Sequence, residues 1–240
     1  MSGRRAVPLG LVAAIRRIGT GPGALLPASR RTDASTLLAA PLRQMLQGEE
    51  LGYWALGPRT IDELVRIVLA VRPATIIEFG SGSSTIVLAW ALRHLWGDDG
   101  MPRLLSVEQD AGHAERTCGL LERSGLAGVA AVVVAPLGEV HVDGSSFTCY
   151  LLPEDAGAAL GGRRADLVLI DGPAGAPGIR FGTLPIARPY LADGARFVLD
   201  DAMRDSELET GRRWAALPWV HVEGIRIIEK GILLGTVQAA

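Results

Sequence analysis

The sequence has little cysteine, almost no lysine and no long apolar run. Its 240 residues include two cysteines, Cys118 and Cys149, and a single lysine, Lys230. Two cysteines are too few for a disulfide framework or a cysteine-based zinc cluster, and they favour a reducing compartment, which we predict to be the cytoplasm. A phosphate-binding loop lysine or a Schiff-base lysine would have to be Lys230. No stretch of about 18 apolar residues occurs, so no membrane span is predicted.

An excess of positive charge is also missing. Lys and Arg number 24 against 26 Asp and Glu, so the net charge is −2 and no global field attracts nucleic acid. The histidines show no metal-ligand spacing and are expected at the surface: His94, His113, His141 and His221. Hydrophobic residues make up 48% and charged residues 21%, which is typical of a globular domain.

The first 57 residues differ from the rest of the chain. They lack strand patterns and carry a Gly/Pro-rich break at 19–23, and a short helix is predicted from Ser35 to Gln47. We expect residues 1–57 to be a partly helical extension that caps the site or contacts a second copy in a homodimer. Residues 58–240 are expected to form one domain.

Short apolar strands alternate with helical periodicity after residue 58. Thr60-Ile61-Asp62-Glu63 resembles a capping box, Asp110 is positioned to cap a helix, and a third helix start is expected at Ser206–Glu209. Wholly apolar strands separated by helices indicate a parallel sheet covered on both faces. The predicted fold class is therefore a doubly wound α/β domain. The predicted strands are 75–79, 104–108, 129–134, 166–171 and 195–200, and the main helices are 60–71, 84–95, 110–123 and 183–191.

Two segments interrupt this alternation. Residues 139–152 are predicted to form an inserted β-hairpin that turns at 143–145. The tail is predicted to form two strands, 219–223 and 225–237, with almost no residues between them. Such strands must pair antiparallel, because a parallel return requires a crossover of about a dozen residues.

The first predicted strand ends in a glycine turn with an acid beside it. Gly80 and Gly82 allow a tight turn that a ligand can approach closely, and Glu78 lies just before them. A dinucleotide would place its pyrophosphate near that carboxylate, which costs about 4 kcal/mol at intermediate dielectric. The dinucleotide fingerprint also expects a third small residue where this chain has Thr85. A cationic ligand such as S-adenosylmethionine is favoured instead.

A second acid, Glu108, ends the second predicted strand. An acid at this position can accept both ribose hydroxyls of an adenosine. Nicotinamide enzymes share this feature, so Glu108 indicates adenosine binding without selecting the cofactor.

These segments resemble the class I S-adenosylmethionine-dependent methyltransferases over roughly residues 58–237. The resemblance implies a seven-stranded, Rossmann-like, mostly parallel sheet with an antiparallel C-terminal strand, and S-adenosylmethionine as the cofactor. It assigns cofactor contacts to Glu78, Gly80, Gly82 and Glu108, with Ser81 and Ser84 as further hydrogen-bonding candidates. The segments that carry the resemblance are Ile76–Gly82, Val107–Glu108, Leu169–Pro173 and Val198–Asp201.

Three acids follow the fourth and fifth strands. Asp171, Asp200 and Asp201 are expected at one sheet edge, where their repulsion calls for a cation or for protons. The pattern is similar to that of metal-dependent catechol-type O-methyltransferases, which implies Mg²⁺ on these three residues. Those enzymes have Asp-Asn where this chain has Asp200-Asp201, and the lysine after their fourth-strand Asp is absent here. Without a metal, Asp171 is the candidate general base, and Arg180 is a candidate to bind an anionic group of the substrate.

The resulting hypothesis is a methyltransferase that acts on a small molecule, at an oxygen atom. A nicotinamide-dependent oxidoreductase is the first alternative, and Glu78 and Thr85 argue against it. A catalytically idle cofactor-binding scaffold with the same fold is the second. Neither the acceptor molecule nor the oligomeric state follows from the sequence.

Overall fold

The computed structural model describes residues 25–26, 56–97, 100–142, 144–154 and 156–240. The helix predicted at Ser35–Gln47, and most of the N-terminal extension, lie outside the described residues. None of the described helices has the length and apolarity needed to cross a lipid bilayer.

The described residues form ten strands and five α-helices. The helices are α1 Pro58–Val71, α2 Ser83–Trp96, α3 Ala111–Arg123, α4 Thr183–Ala187 and α5 Asp205–Ala215. The strands are β1 Leu25–Leu26, β2 Ile76–Phe79, β3 Leu104–Glu108, β4 Ala130–Val134, β5 Leu137–Val142, β6 Ser145–Tyr150, β7 Ala165–Ile170, β8 Leu191–Leu199, β9 Val220–Arg226 and β10 Ile232–Val237.

One large sheet organises these elements, in the order β1-β9-β10-β8-β7-β2-β3-β4. Strands β4, β3, β2, β7 and β8 are parallel, whereas β10 is antiparallel to both β8 and β9. Apart from the two-residue β1, the sheet has the seven strands that the resemblance implies. The doubly wound α/β fold and the antiparallel last strand are therefore confirmed.

Apolar side chains cover both faces of this sheet because alternate residues of each strand point to opposite sides. On one face, Ile76 packs with Ile86 and Leu88 of α2. On the other face, Phe79 belongs to a second cluster with Phe197 and Trp214, whose rings meet edge to face at 5.4 Å. This two-sided burial explains why the strands read as nearly continuous apolar runs.

Helix starts follow the sequence less faithfully than strands do. The N-cap prediction at Asp110 is confirmed, since its carboxylate accepts a 2.6 Å hydrogen bond from the His113 amide. The capping box at Thr60 is wrong, because α1 begins two residues earlier at Pro58. The amide and hydroxyl of Thr60 donate instead to Glu229, at 3.1 and 2.8 Å. The predicted Ser206 cap is also wrong: α5 begins at Asp205, and Ser206 donates to Glu207.

The inserted hairpin is confirmed as β5 and β6, which pair with each other and with no other strand in the described part of the chain. It places Tyr150 and Phe147 beside the parallel sheet. Tyr150 stacks on Phe79 with ring centroids 5.5 Å apart, and Phe147 meets Phe181 edge to face at 5.8 Å. The hairpin thus reaches the edge where the parallel strands end.

Candidate functional site

A cavity of about 830 Å³ opens at the carboxyl ends of β2, β3, β7 and β8. Strands β3 and β7 lie on opposite sides of β2, so the winding of the sheet reverses at this point, where doubly wound folds bind ligands. The volume is within the range of small-molecule sites. Its walls come from the glycine turn, the start of α3, the loop after β7 and the start of α5, and include Gly80, Ser81, Gly82, Ser84, Glu108, His113, Tyr150, Asp171, Arg180, Asp201 and Glu207.

Glu78 lies beneath the glycine turn rather than on the cavity wall. Its side chain is fully buried, and its Oε2 accepts hydrogen bonds from the hydroxyls of Thr85 at 2.6 Å and Ser106 at 2.7 Å. The Thr85 hydroxyl in turn accepts a 2.9 Å hydrogen bond from the Gly82 amide. Glu78 therefore holds the turn in place through Thr85, and its carboxylate does not reach the cavity surface.

Burial determines the protonation of Glu78. It raises the pKa of this carboxyl to about 7, although the hydroxyls that donate to it act in the opposite direction. The other oxygen, Oε1, is buried and has no hydrogen-bond partner among the described residues. A proton on Glu78 near neutral pH relieves the burial of a charge at this point.

Glu108 does form part of the cavity wall, as predicted for a ribose-binding acid. Its Oε1 accepts from the amides of Gln109 and Asp110, at 2.8 and 3.0 Å. Its Oε2 accepts from both the amide and the hydroxyl of Ser81, at 2.9 and 3.0 Å. A carboxylate has about four lone-pair sites, so all the acceptor positions of Glu108 are in use.

His113 is a wall residue that the sequence analysis missed. Its Nε2 lies 3.2 Å from the carbonyl oxygen of Ser81, and its Nδ1 lies 2.9 Å from Arg116 Nη2. Because arginine only donates, Nδ1 accepts and Nε2–H donates to Ser81. Metal-ligand spacing does not identify this residue. The informative signal is that His113 comes three residues after Asp110, which caps a helix.

The strand-end acids meet as predicted. One carboxylate oxygen from each of Asp171, Asp200 and Asp201 lies within 4.8 Å of the others. Asp201 has a φ of +57°, a left-handed backbone conformation that turns its side chain away from the alternation of the strand. Because of this conformation, the consecutive residues Asp200 and Asp201 can face the same cluster.

Arg180 lies among these acids with only 6% of its surface exposed. Its Nη2 is 3.5 Å from Asp171 Oδ1 and 3.6 Å from Asp201 Oδ2, and its Nε is 3.8 Å from Glu207 Oε1. Its Nη1 donates to the backbone carbonyl of Asp200 at 3.2 Å. Arg180 therefore lines the cavity, but its guanidinium is paired with the acids of the chain itself.

The pKa values of two of these acids, Asp171 and Asp200, are raised. Burial, followed by the negative charge of Asp200, raises the pKa of Asp171 well above its usual range, and Arg180 opposes this shift. Burial and the charge of Asp201 raise the pKa of Asp200 to about 6. A carboxyl with a pKa of about 6, like that of Asp200, can exchange a proton near neutral pH, and raised pKa values are typical of general acid–base residues.

Cations of the chain surround the three carboxylates. Asp201 is already ion-paired with Arg204 at 2.8 Å and with Lys230 at 3.4 Å, in addition to Arg180. A metal at coordination distance from Asp171 Oδ1 would lie within roughly 6 Å of Arg180 Nη2, and their repulsion, about 5 kcal/mol at an effective dielectric of ~20, would offset part of its attraction to the carboxylates. The predicted ligands come together, but cations of the chain already face them.

No family model matches the chain, and no curated protein is similar to it. Solved structures with the same fold are numerous, with sequence identities too low to show more than that fold. An O-methyltransferase from Bacillus cereus in complex with SAH matches with a TM-score of 0.60 at 19% identity, covering 86% of this chain and 98% of that one.

Two further structures show the same likeness. The O-methyltransferase TomG from Streptomyces achromogenes, involved in tomaymycin synthesis and bound to SAM, has a TM-score of 0.57 at 20% identity, covering 88% of this chain and 92% of that one. A putative O-methyltransferase from Klebsiella pneumoniae has a TM-score of 0.56 at 19% identity, with the same coverage of 88% and 92%.

Proposed function

We propose that this chain is an S-adenosylmethionine-dependent methyltransferase that methylates an oxygen atom of a small molecule. The observation that carries the proposal is that one cavity joins the glycine turn, Glu108 and Asp171. The turn and Glu108 suit an adenosine-containing cofactor, and Asp171 lines the same cavity, where an acceptor hydroxyl could reach it. The solved structures of the same fold that hold SAH or SAM support this choice of cofactor. The two cysteines are free thiols, which supports a cytoplasmic location.

The cofactor-binding residues follow from the cavity wall. Glu108 would accept a ribose hydroxyl at the position that the Ser81 hydroxyl occupies here, and the amides at the start of α2 near Ser84 would face the carboxylate of the methionine moiety. Gly82 has a φ of +146°. A Cβ at this position would lie 3.6 Å from His113 Nε2, so a side chain here would narrow the cavity. We propose that Glu78 acts indirectly, by holding this turn through Thr85.

The chemical step requires alignment and the removal of one proton. S-adenosylmethionine, when bound, would supply a methyl group already activated by its sulfonium. Asp171 would accept the proton that the acceptor hydroxyl gives up on methylation. The raised pKa of Asp171 suits this role, because a carboxylate of ordinary pKa is a weak base toward a hydroxyl.

The loop after β7 is attached to the residue that follows β3. Its Ala174 carbonyl accepts a 3.1 Å hydrogen bond from Gln109 Nε2. Both residues line the cavity, so this contact fixes the position of one of its walls.

Cofactor binding is tested by thermal melting and isothermal titration with S-adenosylhomocysteine, S-adenosylmethionine and NADH. We expect the two methionine-derived ligands to raise the melting temperature and NADH to leave it unchanged, because only a ligand of the folded state stabilises it. Glu108→Gln should bind at least about tenfold more weakly, since it loses a charge-assisted acceptor for the ribose hydroxyls. Glu122→Gln, at an exposed position of α3, the helix that follows Glu108 in the chain, is the matched control. Stabilisation by NADH alone would support the oxidoreductase alternative.

Methyl transfer is tested by mass spectrometry of a panel of phenols, carboxylic acids and amines. We expect methylated oxygen acceptors, and a fall in kcat of about 10²–10⁴-fold in Asp171→Asn, with cofactor affinity retained. Binding of S-adenosylhomocysteine without transfer to any acceptor would favour the scaffold alternative. Transfer confined to amines would contradict the choice of oxygen.

A further inference from the structure

The acids beside the cavity are nearly balanced by cations of the chain itself. Three carboxylates lie together, those of Asp171, Asp200 and Asp201, and a fourth, that of Glu207, lies 3.8 Å from Arg180. Three cations lie within 4 Å of Asp201: Arg180, Arg204 and Lys230, the single lysine of the chain. The chain itself therefore supplies three positive charges beside these four carboxylates.

Arg180 is the buried member of the three cations. Its side chain is 7% exposed, compared with 42% for Arg204 and 47% for Lys230. A guanidinium removed from water to this degree is stable only when anions and carbonyls replace its hydration. Here the replacements are three carboxylates and the Asp200 carbonyl.

Neighbouring contacts fix Arg180 in this position. The Thr183 hydroxyl donates to the Arg180 carbonyl at 2.7 Å, and the indole of Trp214 donates to the Phe181 carbonyl at 2.9 Å. The ring of Phe181 lies between Phe147 of the hairpin, at 5.8 Å, and the guanidinium of Arg213, at 3.5 Å. These contacts hold the backbone of Arg180 in place, and the ion pairs with Asp171, Asp201 and Glu207 hold its guanidinium.

We propose that the Arg180 guanidinium is the resident cation of this acidic cluster and that the chain binds no divalent metal there. Arg180 is then a positioning residue: it holds the carboxylate of Asp171 at the cavity wall by charge rather than by coordination. The proposal goes beyond the methyltransferase assignment and holds whichever reaction the cavity serves, because it concerns only what balances these acids.

The wild-type protein provides the first test. After treatment with a chelator, titration with MgCl₂, MnCl₂ and CaCl₂ up to about 10 mM should give no binding heat and no change in melting temperature. Binding with a Kd below about 1 mM that is lost in Asp171→Asn would overturn the proposal. This result does not depend on cofactor binding, so it is separate from failure of the proposed function.

Arg180→Ala provides the second test, because it leaves the acids without their buried partner. We expect its melting temperature to fall, and about 10 mM of Mg²⁺, Ca²⁺ or guanidinium ion to restore at least 2–4 °C of the loss. Arg212→Ala removes an exposed arginine paired with Glu209 and should show no such restoration. A folded Arg180→Ala protein that responds to none of these cations would contradict the proposal. If this variant does not fold, the wild-type titration still decides.

Discussion

The lone pairs of Glu108 set a limit on how a ribose can bind. Both oxygens already accept two hydrogen bonds each, and only one of the four donors, the Ser81 hydroxyl, can rotate away without moving the backbone. The hydroxyl of Thr117 lies 3.1 Å from that of Ser81 and offers it another partner. Ser81 and the ribose would therefore compete for the same acceptor.

Ser81→Ala tests this competition. We expect the variant to bind S-adenosylhomocysteine at least as tightly as the wild type, because removal of the Ser81 hydroxyl frees one acceptor site on Glu108. Isothermal titration measures this directly. A loss of affinity comparable to that of Glu108→Gln would mean that the Ser81 hydroxyl itself contacts the cofactor.

The strand-end acids were predictable from the sequence, whereas their cationic partners were not. Asp171 and Asp200 follow apolar strands, and parallel strands bring their carboxyl ends to one edge of a sheet. Arg180 comes from a short 3₁₀ segment at Ile179–Gly182 after a glycine-rich loop, and Lys230 comes from the β9–β10 turn. Loop paths are not encoded in hydrophobic periodicity, so the balance of charge at the site became visible only in three dimensions.

Among the secondary-structure elements, strands were predicted better than helix starts for a similar reason. An apolar run such as Ile76–Phe79 is recognisable from its own residues. The start of α1 depends on Glu229, which lies 169 positions after Thr60. Glu229 accepts hydrogen bonds from the amide and the hydroxyl of Thr60. Gly57 completes the arrangement, because a Cβ at that position would lie 2.0 Å from Glu229 Oε2.

Glu229→Ala should therefore destabilise the fold as the loss of an N-cap does. We expect a decrease of about 1–2 kcal/mol in the free energy of unfolding, since the first amides of α1 lose their acceptor. Urea denaturation measures this change. Glu122→Ala, at an exposed position of α3, should change stability by less than about 0.5 kcal/mol. Equal effects of the two substitutions would show that Glu229 does not act as a cap.

For the whole molecule, buried acids make stability depend on pH. The pKa values of Glu78 and Asp200 are raised to about 7 and about 6, and that of Asp171 is raised as well. A carboxyl whose pKa is higher in the folded state contributes stability that is fully present below its unfolded pKa. That contribution is lost as the pH rises through the folded value. For Glu78 the window extends from about 4.5 to about 7.

Glu78→Gln isolates this contribution. We expect the free energy of unfolding of the variant to increase relative to the wild type between pH 5 and pH 8, by an amount on the order of 3 kcal/mol, because glutamine does not ionise. Urea denaturation at both pH values gives the difference, with Glu122→Gln as the control. A difference that is constant across this range would show that Glu78 is not destabilised by ionisation in the folded state.

The cap on α1 also has a consequence for the order in which the protein folds during its synthesis. The backbone amide of Arg59 donates a 3.2 Å hydrogen bond to Glu229, which lies 170 positions later in the chain. At ordinary translation rates about 10–30 s pass between the synthesis of these two residues. During that interval α1 lacks the acceptor for its leading amides, so its first turn is capped only when the turn between the last two strands, which carries Glu229, has been made.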